Sequence, residues 1–178
     1  MSSSVQVAKK YLVDAGKYST FIFFWKEESV FSQWHLRNMK VDGITFTCCE
    51  QYMMYQKAKL FNDDEVAKQI IRTTSQKTMK SLGRKVKNFD TTIWEQNRER
   101  IVYEGNYAKF TQHDDLRKTL LENTTSEYVE ASPYDNIWGI GLEKTDPRAK
   151  DRSKWLGLNL LGRILTQLRD DLLAEQGK

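Results

Sequence analysis

The chain is nearly without proline, cysteine and histidine. Its two prolines, Pro133 and Pro147, leave long stretches free to form helix. Its two cysteines, Cys48 and Cys49, are neighbours, so a disulfide between them would be strained and no third thiol exists to pair with either. His35 and His113 add no zinc-ligand spacing to these thiols and stand in no recognisable triad context. No metal site and no cofactor is expected. A phosphate-binding Walker loop is missing, and so is the glycine fingerprint of dinucleotide-binding folds. No apolar run approaches the ~20 residues that span a bilayer. The opening MSSSVQVAKKYLVDAG lacks the apolar centre of a signal peptide. A cytoplasmic protein that makes no membrane contact is the expectation. What remains is acid, amide, aromatic and lysine chemistry.

Hydrophobic residues make up 39% of the 178 and charged residues 29%, which suits one soluble domain with a real core rather than a disordered chain. The net charge of +4 is modest and fits a phosphate-bearing ligand at least as well as a nucleic-acid surface. KTMKSLGRKVK, 77–87, is the densest basic cluster; it reads either as a solvated helix face or as a phosphate contact.

YSTFIFFW, 18–25, has the β-branched and aromatic content of a strand, and MKVDGITFTC reads as a hairpin turning at Asp42-Gly43. A helix is expected from about Cys48, with Thr47 and Glu50 forming a capping box. Further helices are expected in NDDEVAKQIIRTT, in SQKTMKSLGRKV (stopped by Gly83), over 90–113 behind a Thr or Asp cap, and in HDDLRKTLLENT. SEYVEAS reads as a brief strand and 133–154 as a long loop, a length usually tied to function. From Trp155 to about Leu173, leucines 158, 161, 165, 168 and 172 form a helical stripe. The expected fold class is mainly α with a small antiparallel sheet, in a single domain spanning 1–178.

Within CCEQYMMYQKAKLF, 48–61, helical spacing sets Glu50 and Lys57 in the middle of an apolar stripe of Met53, Met54, Leu60 and Phe61, with Gln51, Tyr52, Tyr55 and Lys59 pointing elsewhere. Seven residues apart, the acid and the amine lie about 10 Å apart along the axis, too far to pair with ease and well placed to flank a small polar ligand. The alternative is a capping Glu with a snorkelling Lys. In ASPYDNIWGIG, Asp135 precedes Trp138 by three residues, and Gly139 and Gly141 let backbone approach a ligand closely. An Asx-turn beside a packing Trp is the other reading. Asn159 lies on the flank of the leucine stripe, facing either a cavity or a close helix contact at Gly157 and Gly162. Trp94 is a stacking candidate or a core aromatic.

Taken in order, Glu50…Gln56-Lys57, Gly83-Arg84, Trp94, Lys109-Phe110, Asp135…Trp138-Gly139-x-Gly141 and Gly157-x-Asn159-x-x-Gly162 resemble the YbiA-like family, also called the NADAR (NAD and ADP-ribose) domain. The resemblance runs from about residue 19 to 172. It implies a mostly helical fold and N-glycosidase activity. Bacterial and plant members hydrolyse the C–N bond of phosphoribosylamino-pyrimidines early in the riboflavin pathway; others act on ADP-ribose, including its removal from guanine in DNA. A small phosphoribosyl or ADP-ribosyl substrate is therefore expected, with a modified nucleic acid as the other class and a non-enzymatic nucleotide-binding module as a third reading. Glu50 and Asp135, carried over with Trp94 by the resemblance, are expected catalytic residues, and Lys57, which helical spacing turns inward beside Glu50, is the third. Trp94, Arg84, Trp138, Gly139 and Asn159 are expected to bind substrate, together with an acid after the first strand, Glu27 or Glu28. The family's Ser-Asn-Phe is Ser32-Gln33-Trp34 here, its His-Tyr-Phe is Gln51-Tyr52-Met53, and Thr166 stands where Met is common; the changes leave the reaction type intact and bear on the substrate.

Overall fold

The structure, a computed structural model, describes residues 16–177; the opening segment read above for its lack of an apolar centre lies outside them apart from Gly16. Strand β1 (Thr20–Phe24) leads to a hairpin of β2 (Met39–Val41) and β3 (Ile44–Phe46). Five helices follow: α1 (Cys49–Leu60), α2 (Asp64–Arg72), α3 (Gln76–Arg84), α4 (Thr91–Thr111) and α5 (Asp114–Leu121). The chain then forms β4 (Ser126–Glu130), a loop carrying two short 3-10 turns, and α6 (Leu160–Gln176). The class is α+β, with helices dominant. The hairpin turns at Asp42 (φ 49°) and Gly43 (φ 81°), the two positive angles a type I′ turn needs. A second, parallel pair joins β1 to β4, with Phe24 opposite Glu130. Parallel strands need a long crossover, and here that crossover holds the hairpin and the first five helices.

Helix α1 is the hub, touching α2, α3, α4 and β3. Its position overrides the single apolar stripe expected for it. Gln51 and Tyr52 are buried along with Glu50, Met53 and Met54. The Gln51 amide donates to the carbonyls of Ile70 and Thr73, each at 3.0 Å, and Tyr52 meets Phe46 edge-on. The capping box expected at Thr47 does not form. Cys48 is the N-cap residue and contributes no side-chain bond. The Thr47 hydroxyl donates to Gln51 Oε1 at 3.1 Å, and Glu50 is left to face elsewhere.

Caps at Asp63, Ser75 and Asp90 start α2, α3 and α4, each side chain accepting a backbone N–H. Gly83 does not stop α3, which continues to Arg84. A Cβ at Gly83 would stand 2.0 Å from Met54 Sδ, so the missing side chain makes room for α1. The last helix begins at Leu160, not near Trp155. Asn159, at φ 52°, turns the chain into it, and Leu158 lies outside it, exposed. Leu161, Leu165, Leu168 and Leu172 are the buried stripe. Gly162 lets α6 close on β4, since a Cβ there would sit 2.0 Å from the Tyr128 carbonyl.

Candidate active site

A cavity of about 380 Å³ opens where α1, α3, the start of α4, the end of β4 and the loop after it converge. From α1 it receives Glu50, Met53, Met54 and Lys57; from α3, Lys80, Gly83 and Arg84; from α4, Trp94. Glu130 closes β4, and Asp135, Ile137 and Trp138 come from the loop. Gln33 and Trp34 complete the lining. Acid thus arrives from Glu50, Glu130 and Asp135, and positive charge from Lys57, Lys80 and Arg84. A larger hollow of about 920 Å³ lies between the hairpin, α4 and α6, but its phenols and acids bond to one another: Tyr103 donates to Asp171 at 2.6 Å and Tyr52 to Glu104 at 3.2 Å.

Two of the pocket acids, Glu50 and Glu130, hold protons unusually well. Burial raises the Glu50 carboxyl, and the Asp135 charge adds to this against Lys80 and Lys57, for a pKa of about 7. Glu130 is pushed up to about 8 by burial, then by Asp135 and Glu50. Burial also draws Lys57 below the usual lysine range; Glu50 opposes this and Arg84 reinforces it. The Lys57 ammonium lies over the rings of Phe89 (4.4 Å to the centroid) and Trp94 (5.6 Å). Asp135 is fixed in an Asx-turn: its Oδ1 accepts from the backbone of Ile137 at 2.9 Å and Trp138 at 2.8 Å, and its second oxygen makes neither bond.

The 32–34 segment is pinned from both sides. The Gln33 carbonyl accepts from the Glu50 N–H at 2.9 Å, and Lys109 Nζ, fully buried, donates to the Ser32 carbonyl at 3.1 Å. Gln33 Oε1 accepts from Asn106 at 2.8 Å, and its Nε2 is buried without a partner among the described residues. Both cysteines are free and buried, and burial pushes the Cys49 thiol to about 12. Among the described residues no group of three His, Cys, Asp or Glu lies together as a metal site.

Of the residues anticipated from sequence, Glu50, Lys57, Arg84, Trp94, Asp135 and Trp138 come together around this cavity. Asn159 and Gly139 do not line it. Asn159 is fully buried behind it, and its amide binds the Glu130 N–H, the Tyr128 carbonyl and the Glu127 carboxylate. Gly139 is a spacer: a Cβ would stand 2.8 Å from the Glu130 carbonyl and 3.0 Å from that of Asp135. Glu27 and Glu28 are exposed and outside the cavity; the Glu27 carbonyl accepts from His35 Nδ1 at 3.0 Å. Glu130 was not anticipated, and Lys80 only as one of the lysines of the 77–87 basic cluster. Their signals were thin: Lys80 precedes Arg84 by one helical turn, and Glu130 ends a strand five residues before Asp135. Two of the departures from the family pattern, Ser32-Gln33-Trp34 and Gln51-Tyr52-Met53, place Gln33, Trp34 and Met53 in the lining.

An α+β domain here sets carboxyls and cations around one small hollow, the kind of groups that acid–base hydrolysis uses. The pattern of the NADAR domain matches residues 23–173. The chain is 45% identical over 147 residues to the N-glycosidase R617 of Acanthamoeba polyphaga mimivirus, covering 80% of this chain and 86% of that one. It is 36% identical over 183 residues to protein irg-1 of Caenorhabditis elegans, covering 94% and 86%. Its fold is similar to the NMR structure of the Escherichia coli protein YbiA, with a TM-score of 0.73 and 29% identity over 94% of this chain and 92% of that one. The chain belongs to the NADAR domain family, and with N-glycosidases among these relatives it is a hydrolase of N-glycosyl bonds.

Proposed function

We propose that the protein hydrolyses the C–N bond between a phosphorylated ribose and its base, acting in the cytoplasm on phosphoribosylamino-pyrimidines of the kind formed early in riboflavin synthesis. One observation carries this: a cavity of about 380 Å³ that joins Lys57, Lys80 and Arg84 to Glu50, Glu130 and Asp135. A ribosyl–nitrogen bond breaks through a cationic, oxocarbenium-like sugar. Fixed carboxyls near C1′ stabilise that charge, while a phosphate is held by a guanidinium and ammonium groups. Glu50 and Asp135 are the acids for C1′, and Arg84 and Lys80 the phosphate clamp. Trp94 and Trp138 give flat faces on which a base stacks. The test is parallel incubation of the protein with a phosphoribosylamino-pyrimidine, NAD, ADP-ribose and ADP-ribosylated DNA, with released base and sugar followed by mass spectrometry. Release of base from the first alone is expected; release only from ADP-ribosylated DNA would move the substrate class to modified nucleic acid.

A second route is favoured by the state of Lys57, whose burial weakens its hold on a proton. A ribosylamine opens to an imine, and a neutral Lys57 amine can take over C1′ as a Schiff base while the pyrimidine amine departs; water then releases the sugar. Borohydride would trap this adduct in the wild type and not in Lys57→Ala. Turnover with no adduct under any trapping condition would leave the carboxylate route alone.

A further inference from the structure

One carboxyl in the cavity has no part in the steps above. Glu130 ends β4 and lines the cavity with Glu50 and Lys57 from α1, Lys80 and Arg84 from α3, and Asp135 from the loop that follows it. Its main chain is clamped: the N–H donates to Asn159 Oδ1 at 3.0 Å, and the carbonyl accepts from the Ile140 N–H at 2.9 Å. Gly139 keeps the space beside that carbonyl open. A side chain so firmly placed is expected to meet a partner, yet Glu130 Oε2 is buried and has none among the described residues. An ionised oxygen there would lack a donor and face the charges of Asp135 and Glu50. A proton on the carboxyl removes both penalties and supplies a donor for something in the cavity.

From this placement we infer that Glu130 is the proton donor to the departing base in the N-glycosidase reaction proposed above, on which the inference rests. The C1′–N bond breaks with its electron pair going to nitrogen, and that nitrogen takes the Glu130 proton. Water adds to C1′ and gives a proton to the Glu50 carboxylate. That proton returns to Glu130 before the next turnover, so one water is split between sugar and base and nothing is oxidised or reduced. Asp135, fixed by its Asx-turn, supplies standing negative charge to the sugar.

Two leaving groups separate this from a structural role. The pyrimidine amine needs a proton to depart, whereas the pyridinium base of nicotinamide mononucleotide leaves neutral without one. On the phosphoribosylamino-pyrimidine, Glu130→Gln should lose about 10²–10³-fold in kcat and lose the fall in wild-type activity above a pH of about 8. If the wild type also cleaves nicotinamide mononucleotide, the variant should lose less than about tenfold there, a small part of what general acid catalysis supplies. Equal losses on both substrates, or no loss on the first, would overturn the inference. Wild-type protein that turns over neither would sink the N-glycosidase reading and this one with it; an active wild type with an indifferent Glu130→Gln sinks this one alone. Should Glu130→Gln fail to fold, infrared titration of Glu50→Gln decides. Burial, the largest cause, remains in that variant, so a neutral-carboxyl band surviving above the ordinary carboxylate range supports a proton-bearing Glu130, and its absence overturns the assignment.

Discussion

Glu50 occupies the first turn of α1, where the helix dipole favours an ionised acid. Burial wins: the residue is 8% exposed and its carboxyl is pushed up to about 7. Glu130, near 8, adds to the same effect. Both groups bind protons more tightly folded than unfolded, so the folded state is favoured by their protonation below the unfolded carboxylate range. That stability is lost as pH rises through about 7 and 8. Thermal melts should therefore show Tm falling between pH 5 and 8.5, and Glu50→Gln or Glu130→Gln should flatten the fall and raise Tm at pH 8.5 by several degrees. A Tm that climbs across this window would contradict the burial of these acids. The inward pair Glu50 and Lys57 was legible in sequence because helical spacing is strict. Glu130 was not, because strand alternation tells only which face a residue takes and not whether that face is dry.

At the scale of the element, Asn159 is the joint. Asn is among the few residues with a side chain that adopt φ 52° readily, and its amide reaches three groups of β4. Asn159→Ala should cost roughly 3 kcal/mol through groups left unpaired, a drop of some 6–12 °C in Tm. Turnover should fall as well, because the Glu130 backbone loses its clamp. Gly162→Ala should be at least as harmful, since the clash is with the Tyr128 backbone and not a mobile side chain; a variant that melts like the wild type would contradict the close approach of α6 to β4. Helix starts were legible where Asp63, Ser75 and Asp90 cap them. They were misread where tertiary packing overrides local signals. Gly83 continues a helix because Met54 needs its space, and leucine spacing ran past the bend at Asn159. Asn159 read either as a polar group facing a cavity or as part of a close helix contact at Gly157 and Gly162; in the structure it braces the strand that carries Glu130.

Across the whole molecule, the parallel pairing of β1 with β4 brings the ends of a long crossover together, with Thr20 opposite Ser126. No local pattern announces such a pairing, so the sequence disclosed the strands but not their partnership. Its consequence is that Glu50, from inside the crossover, meets Glu130 and Asp135 from its far end. A ligand spanning the cationic and acidic groups should brace both halves. Ribose 5-phosphate at 100 times its dissociation constant should stabilise the protein by about 2.7 kcal/mol, and Arg84→Ala should remove most of that shift. A shift that persists unchanged in Arg84→Ala would place the phosphate elsewhere.

The most direct test of the central claim, that C–N cleavage occurs among these buried acids, is the turnover of a phosphoribosylamino-pyrimidine by Glu50→Gln measured beside the wild type. The account predicts a loss of about 10²-fold or more in kcat, in a variant that melts no lower than the wild type at pH 8.5. Equal turnover by the two proteins would contradict it.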